Sequence, residues 1–208
     1  MIIHILDKSL EYENKQEVLD TIFKEIDNIV NSANMIFSHL IIDGQEVYND
    51  FYDYFLDNMK NIQEVKVVTR TAKEAFEEIL LSTIDYLNRA IPEIEVLSNE
   101  FYKTPSRESW GKLGDLLEGV KWIMDTFMII DADFDLKNIV NRYEDWNIYA
   151  EDIYKLNEIL IEFEEILENS DFVSTADILS YEIIPLFNDM KKKLEKLISE
   201  EVEIDDFN

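Results

Sequence analysis

Cysteine is absent from the 208 residues, glycine occurs four times, proline three times and histidine twice. The lack of cysteine excludes a disulfide framework, a thiolate nucleophile and a cysteine-based zinc site, and it suits a reducing compartment. No Gly-x-Ser-x-Gly segment occurs, which removes the serine-nucleophile elbow. Two histidines, His4 and His39, cannot supply the Glu-x-x-His motif of a carboxylate di-metal site. Both lie in expected strands and read as structural. No stretch approaches the length of a membrane-spanning helix. The opening Met1-Ile2-Ile3-His4-Ile5-Leu6-Asp7 has neither the basic start nor the long apolar run of a signal peptide. A soluble, cytoplasmic protein is expected.

Positive charge is also scarce. Nineteen Lys and Arg face 46 Asp and Glu, for a net charge of −27, while 47% of the residues are hydrophobic. That apolar fraction builds a core, so the acidity describes the surface of a folded body and not a disordered chain. Such a surface repels nucleic-acid phosphates and anionic membranes and favours basic partners or cations. Residues 131–190 hold 16 acids and 3 bases, so nearly half of the negative charge falls in one block of sixty residues. Ile outnumbers Ala 28 to 7 and Asn is plentiful, as in an AT-rich genome.

The first seventy residues mix two periodicities. Ile2–Leu6, Met35–Ile42 and Val65–Thr69 read as strands. Val18, Leu19, Ile22, Phe23, Ile26, Ile29 and Val30 recur at helical spacing, placing a helix over 15–32. Asp43-Gly44 supplies the positive φ of a tight hairpin, with Gln45-Glu46-Val47 as the return strand. Phe51, Phe55, Met59 and Ile62 predict a helix over 49–62. From Thr71 the signals are helical. Thr71 and Glu74 form a capping box, and Pro92 predicts a kink or a break. Thr104-Pro105 is a helix start for a segment running to Ile130. Further helices carry Leu136–Tyr143, then Trp146–Leu167, and lastly Ala176–Leu197 with Pro185 inside. Lys191, Lys192, Lys193 and Lys196 gather near the end of that last helix, where cations complement the dipole. The fold class is therefore α+β, mainly α. A strand-helix-hairpin-helix-strand module (1–70) precedes a helical bundle (71–199) and an acidic, frayed tail (200–208).

Three motif-like features lose to plainer readings. Asp131, Asp133 and Asp135 alternate like the start of a calcium loop, but Leu136 stands at the glycine position and Arg142 at that of the bidentate Glu. A helix-start acid cluster fits better. Gly114 and Gly119 are spaced as in a phosphate loop, yet Val120 stands where the lysine must be, and Lys121 follows one residue late. Gly111, Gly114 and Gly119 instead suggest sites where another helix approaches closely. Glu162, Glu164, Glu165 and Glu168 read as a solvated stripe. No catalytic, cofactor-binding or metal-ligating residue is expected.

Ile42-Asp43-Gly44 before a helix, Tyr86-Leu87-Asn88-Arg89-Ala90-Ile91-Pro92-Glu93-Ile94, and Leu116-Leu117-Glu118-Gly119-Val120-Lys121-Trp122 together resemble a family of uncharacterised, acidic, mostly helical proteins from low-GC Gram-positive bacteria. The resemblance covers most of the chain and implies no activity.

Tyr48, Phe51, Tyr52, Tyr54 and Phe55 crowd one short helix, more aromatics than a single buried face takes. Aromatics are enriched in interface hot spots. With Glu162, Glu165 and Glu168 they form the candidate interaction surface. The function expected is that of a non-catalytic, acidic cytosolic interaction or adaptor protein, monomeric or homodimeric, binding a protein with a basic surface. It would not bind nucleic acid or membrane directly. Two alternatives are an enzyme or small-molecule binder with a carboxylate and aromatic pocket between the two parts, and a DNA mimic.

Overall fold

The computed structural model describes residues 1–132, 136–140 and 142–205. The protein is α+β and mainly helical, and it divides into two units, Met1–Ala75 and Phe76–Asn208.

The first unit is built on strands β1 (Ile2–Ile5), β2 (Lys8–Glu11), β3 (Ile36–Ile42), β4 (Gln45–Val47) and β5 (Glu64–Arg70), ordered β2-β1-β5-β3-β4. β1 and β5 run parallel and the other pairs antiparallel. Alternation sends Ile3, Ile5, Leu40, Ile42, Val47, Val65 and Val67 to one face. They are buried there with Leu19, Ile22, Ile26 and Val30 of helix α1 (Leu19–Ser32) and with Phe55 of helix α2 (Phe51–Asn58). At the hairpin both Asp43 (φ 49°) and Gly44 (φ 87°) take the left-handed conformation that a two-residue turn demands. The Asp43 carboxylate also accepts from the backbone N–H groups of Gln63 (3.0 Å) and Glu64 (2.8 Å), tying the turn to β5.

β2 was not expected. It is a four-residue polar edge strand, and it is reached through Leu6 at φ 52°, a residue that carries no turn signal. The helix expected over 15–32 opens with a 3-10 turn at Gln16–Val18, and α2 is shorter than the 49–62 predicted.

The second unit contains α3 (Ala72–Phe101), whose first turn lies across the unit boundary, α4 (Arg107–Asp131), α5 (Leu136–Ile139), α6 (Tyr143–Glu168), α7 (Phe172–Ile178) and α8 (Ile184–Asp205). The capping box of α3 forms as predicted: Glu74 N–H donates to Thr71 Oγ1 and Thr71 N–H to Glu74 Oε2. Pro92 does not break α3, which continues as one helix. Pro92 lies on an exposed face, so the Asn88 carbonyl left without its helical donor can reach water. The cap of α4 is Ser106 rather than Thr104. Ser106 and Ser109 satisfy each other's backbone N–H groups.

The last expected helix is two helices joined by a π-helical segment, Leu179–Ile183. Ile184 N–H reaches back to the Leu179 carbonyl, widening the turn just before Pro185, which has no N–H to give. α8 then runs to Asp205, into the stretch set aside from Glu200 as a tail; residues 206–208 lie outside the described residues. Lys191–Lys193 and Lys196 therefore sit in the body of a helix and not at its end. The core joins Phe76, Phe127, Trp146 and Tyr149, with Phe127 stacked on Trp146 at 5.2 Å, to the apolar stripes of α3, α4, α6 and α8.

Two of the three glycines of α4, Gly111 and Gly114, differ from the expectation of close helix approach, and Gly119 meets it. A Cβ at Gly111 or Gly114 would meet open space, whereas at Gly119 it would run into the ring and hydroxyl of Tyr86 on α3. Gly119 alone brings the two helices' atoms together. Gly114→Ala should raise stability by about 0.5–1 kcal/mol through helix propensity. Gly119→Ala should lower it by about 1–3 kcal/mol by displacing Tyr86. Urea unfolding of the two variants should show these opposite signs.

Candidate functional site

The aromatic residues around α2 separate into three roles. Phe55 is fully buried and belongs to the core, so it offers nothing to a partner. Phe51 is half-buried and packs edge-on against Phe37, with ring centroids 5.4 Å apart. Tyr48 and Tyr52 are 59% and 41% exposed. Tyr48 stacks on His39 at 4.6 Å and donates its hydroxyl to Glu46, while Tyr54 donates to Gln45. Tyr52 stacks on Phe23 of α1 at 6.2 Å.

Phe23, Phe51 and Tyr52 line a shallow hollow whose remaining walls are Asp50 and Asp53. Asp50 takes φ 49° at the cap of α2, yet its side chain makes no capping bond. Among the described residues neither carboxylate has a partner. The hollow thus combines the exposed ring of Tyr52 and the half-buried rings of Phe23 and Phe51 with two free negative charges. That chemistry favours an ammonium or guanidinium group, through charge and through cation–π contact worth about 0.5–1 kcal/mol at exposed sites.

The other proposed contributors, Glu162, Glu165 and Glu168, are exposed on α6. Glu144, Glu151, Glu158, Glu162 and Glu165 follow one another at helical spacing, and Ile148 and Lys155 interrupt the file. The aromatic hollow and the α6 glutamates belong to different units.

The histidines do not pair, because β5 lies between their strands. His4 is 2.9 Å from Ser9 Oγ and 3.2 Å from Glu64, and His39 contacts Ser38 and Tyr48. Of the calcium-like aspartates, Asp133 and Asp135 lie outside the described residues, and Asp131 accepts from the Trp146 indole at 2.9 Å. Lys121 pairs with Asp125. Among the described residues no three His, Asp or Glu side chains converge as a metal site, and no helix is long and apolar enough to cross a membrane.

Sequence reasoning missed two buried carboxylates. Asp145 and Asp152 sit on the inner side of α6, one 2.8 Å from Lys196 and the other 2.7 Å from Lys193, both on α8. Arg142 lies 2.9 Å from Asp145, and Asp189 lies 2.9 Å from Lys193. The readable signal was the seven-residue spacing of the two aspartates beside Trp146, Tyr149 and Ile153, with lysines three apart among Met190, Leu194 and Leu197. Burial pushes the Asp152 carboxyl up, and Lys193 only partly opposes this. Burial also pushes the Tyr149 phenol well up. Asp145 and Asp152 are buried and each is paired with a lysine of α8 that reaches in from the surface, an arrangement that suits packing of α6 on α8.

A model for the domain of unknown function DUF8042 matches residues 78–193, more than half of the chain. The chain belongs to that uncharacterised family. A model for the TP0873 N-terminal domain matches residues 1–71. No curated protein and no solved structure matches. Two of the segments that carry the resemblance noted in the sequence, 86–94 and 116–122, fall inside the DUF8042 match and line facing sides of α3 and α4.

Because the native Asp152 carboxyl titrates above its ordinary value of 3.8, the folded state takes up this proton before the unfolded chain does. Its contribution to stability should therefore grow as pH falls through the raised native value, levelling off below the unfolded one. Urea unfolding of wild type and Asp152→Asn across that range should show the wild type gaining on the variant as pH falls. A constant or shrinking difference would mean that Asp152 is not strained by burial.

Proposed function

We propose that this protein is a non-catalytic, acidic interaction or adaptor protein that binds a protein partner with a basic surface. The observation that carries the reading is the hollow of Phe23, Phe51 and Tyr52 between the unpaired carboxylates of Asp50 and Asp53. Long-range attraction from a net charge of −27 brings the partner in. The aromatic hollow then holds a lysine or arginine side chain on it. A cytoplasmic setting in a low-GC Gram-positive bacterium, a monomeric or homodimeric state, and no direct binding of nucleic acid or membrane complete the proposal.

The glutamate file of α6 favours a second reading, DNA mimicry, in which carboxylates stand in for phosphates. Ile148 and Lys155 weaken it, because a mimic of a uniformly charged backbone gains nothing from an apolar residue and a cation in the same row.

Capture from native lysate on the immobilised protein tests the first reading. Basic proteins should be retained at low salt and should associate more slowly as salt rises, since the Debye length is only about 8 Å at physiological ionic strength. Tyr52→Ala with Asp53→Asn should speed dissociation. Glu162→Gln, Glu165→Gln and Glu168→Gln together should lower the on-rate and leave the helix content unchanged. An acidic partner, or an on-rate indifferent to salt, would overturn the proposal. A captured nucleic-acid-binding protein that free DNA displaces from the glutamate file would favour mimicry.

A further inference from the structure

A second recognition feature lies in the helical unit. α3 and α4 run antiparallel, as shown by Tyr86 over Leu116 and Gly119 and by Glu100 against Lys112. Between them is a groove with a hollow of about 230 Å³, floored by Ala90, Ile94, Leu97 and Leu116. A second hollow shares Tyr86 and Arg89 with the first and ends at Trp122, which is 41% exposed. From Ser82 to Leu97 the α3 wall is about 22 Å long at the helical rise, which is four turns and far longer than a compact metabolite.

Its charges are not equally available. Arg89 is taken up by Asp85 at 3.0 Å, and Lys112 by Glu100 at 2.7 Å and Glu108 at 3.7 Å. Glu93 and Asp115, which stand on opposite walls, have no partner among the described residues. The groove therefore offers an apolar floor between two free carboxylates, with an exposed indole at one end.

We propose that this groove takes an amphipathic helix of a partner protein, apolar along the face that enters and carrying lysine or arginine on its flanks. Its apolar residues enter over the half-buried Tyr86 and Ala90, above Ile94, Leu97 and Leu116, which are already buried. Its cations reach Glu93 and Asp115, and one side chain packs on Trp122, the helix-in-groove mode of recognition. Tyr86 sets the width of the groove, because its ring sits over Gly119 and a bulkier residue there would displace it. This proposal rests on the basic-partner reading above but assigns a separate site in the other unit.

The test uses the full chain and a labelled peptide of about fifteen residues, with leucines along one helical face and lysines flanking it. A scrambled peptide of the same composition and a version with glutamate in place of lysine serve as controls. Fluorescence polarisation reads affinity. The indole Nε1–H signal of Trp122, assigned with Trp122→Phe, reads location against the buried Trp146. Only the amphipathic basic peptide should bind and shift Trp122. Glu93→Gln with Asp115→Asn should weaken it by about tenfold, and Ala90→Trp, which fills the groove, should abolish it. Binding that leaves the Trp122 signal unmoved, or that the scrambled peptide matches, overturns the groove. If that same binding is lost in Tyr52→Ala, the basic-partner reading survives with its site in the first unit. If no lysine-bearing peptide binds at all, the groove proposal falls, and the basic-partner reading is decided by the lysate capture and its salt dependence.

Discussion

Lys193 and Lys196 of α8 hold the carboxylates of Asp152 and Asp145 on α6, and the closure of the helical unit turns on these pairs. Asp152 is 6% exposed, and its second oxygen has no hydrogen-bond partner. Taking such a group out of water costs several kcal/mol, which only a well-placed cation offsets. The pairs are therefore a constraint more than a source of stability. Removing one lysine would leave a buried charge alone, whereas an apolar pair of similar shape would cost little stability. Beside them the stacked Phe127 and Trp146, with Tyr149 packed edge-on against Phe127, supply the burial that drives closure.

The same pairs bear on the surface. With only 19 cations against 46 acids, each lysine drawn to an inner carboxylate is one fewer on the outside. Arg89, Lys112 and Lys121 are likewise held by neighbouring acids. Among the described residues, Asp50, Asp53, Glu93 and Asp115 are left without a partner. Two of these flank aromatic rings and two flank an apolar floor. This placement turns a bulk negative charge into sites with shape.

The fold was legible where local chemistry and burial agree. Asp43-Gly44, the Thr71–Glu74 box and the apolar stripes of α3, α4 and α6 are examples. β2 was not legible, because a short edge strand of Lys, Ser, Leu and Glu buries too little to show a period. Pro92 left a kink and a break both open, and only the break is excluded by the continuous α3, because a proline's cost depends on whether the orphaned carbonyl meets water. The Ser106 cap was hidden behind a stronger-looking Thr-Pro pair two residues earlier. Of the candidate surface, sequence located the aromatic helix but could not tell Phe55, pointing into the sheet, from Tyr52, pointing out. The α3–α4 groove was invisible because its walls are ordinary helix residues, and only the antiparallel register sets Glu93 across from Asp115.

In the proposed function, unpaired acids beside aromatic rings and the apolar groove recognise a basic protein. Hydrogen-exchange mass spectrometry on the complex with a captured basic partner tests this most directly. Protection confined to residues 48–56, to 82–97 with 112–122, or to both is the predicted result. Protection absent from these segments, or spread evenly over every acidic helix face, would contradict it.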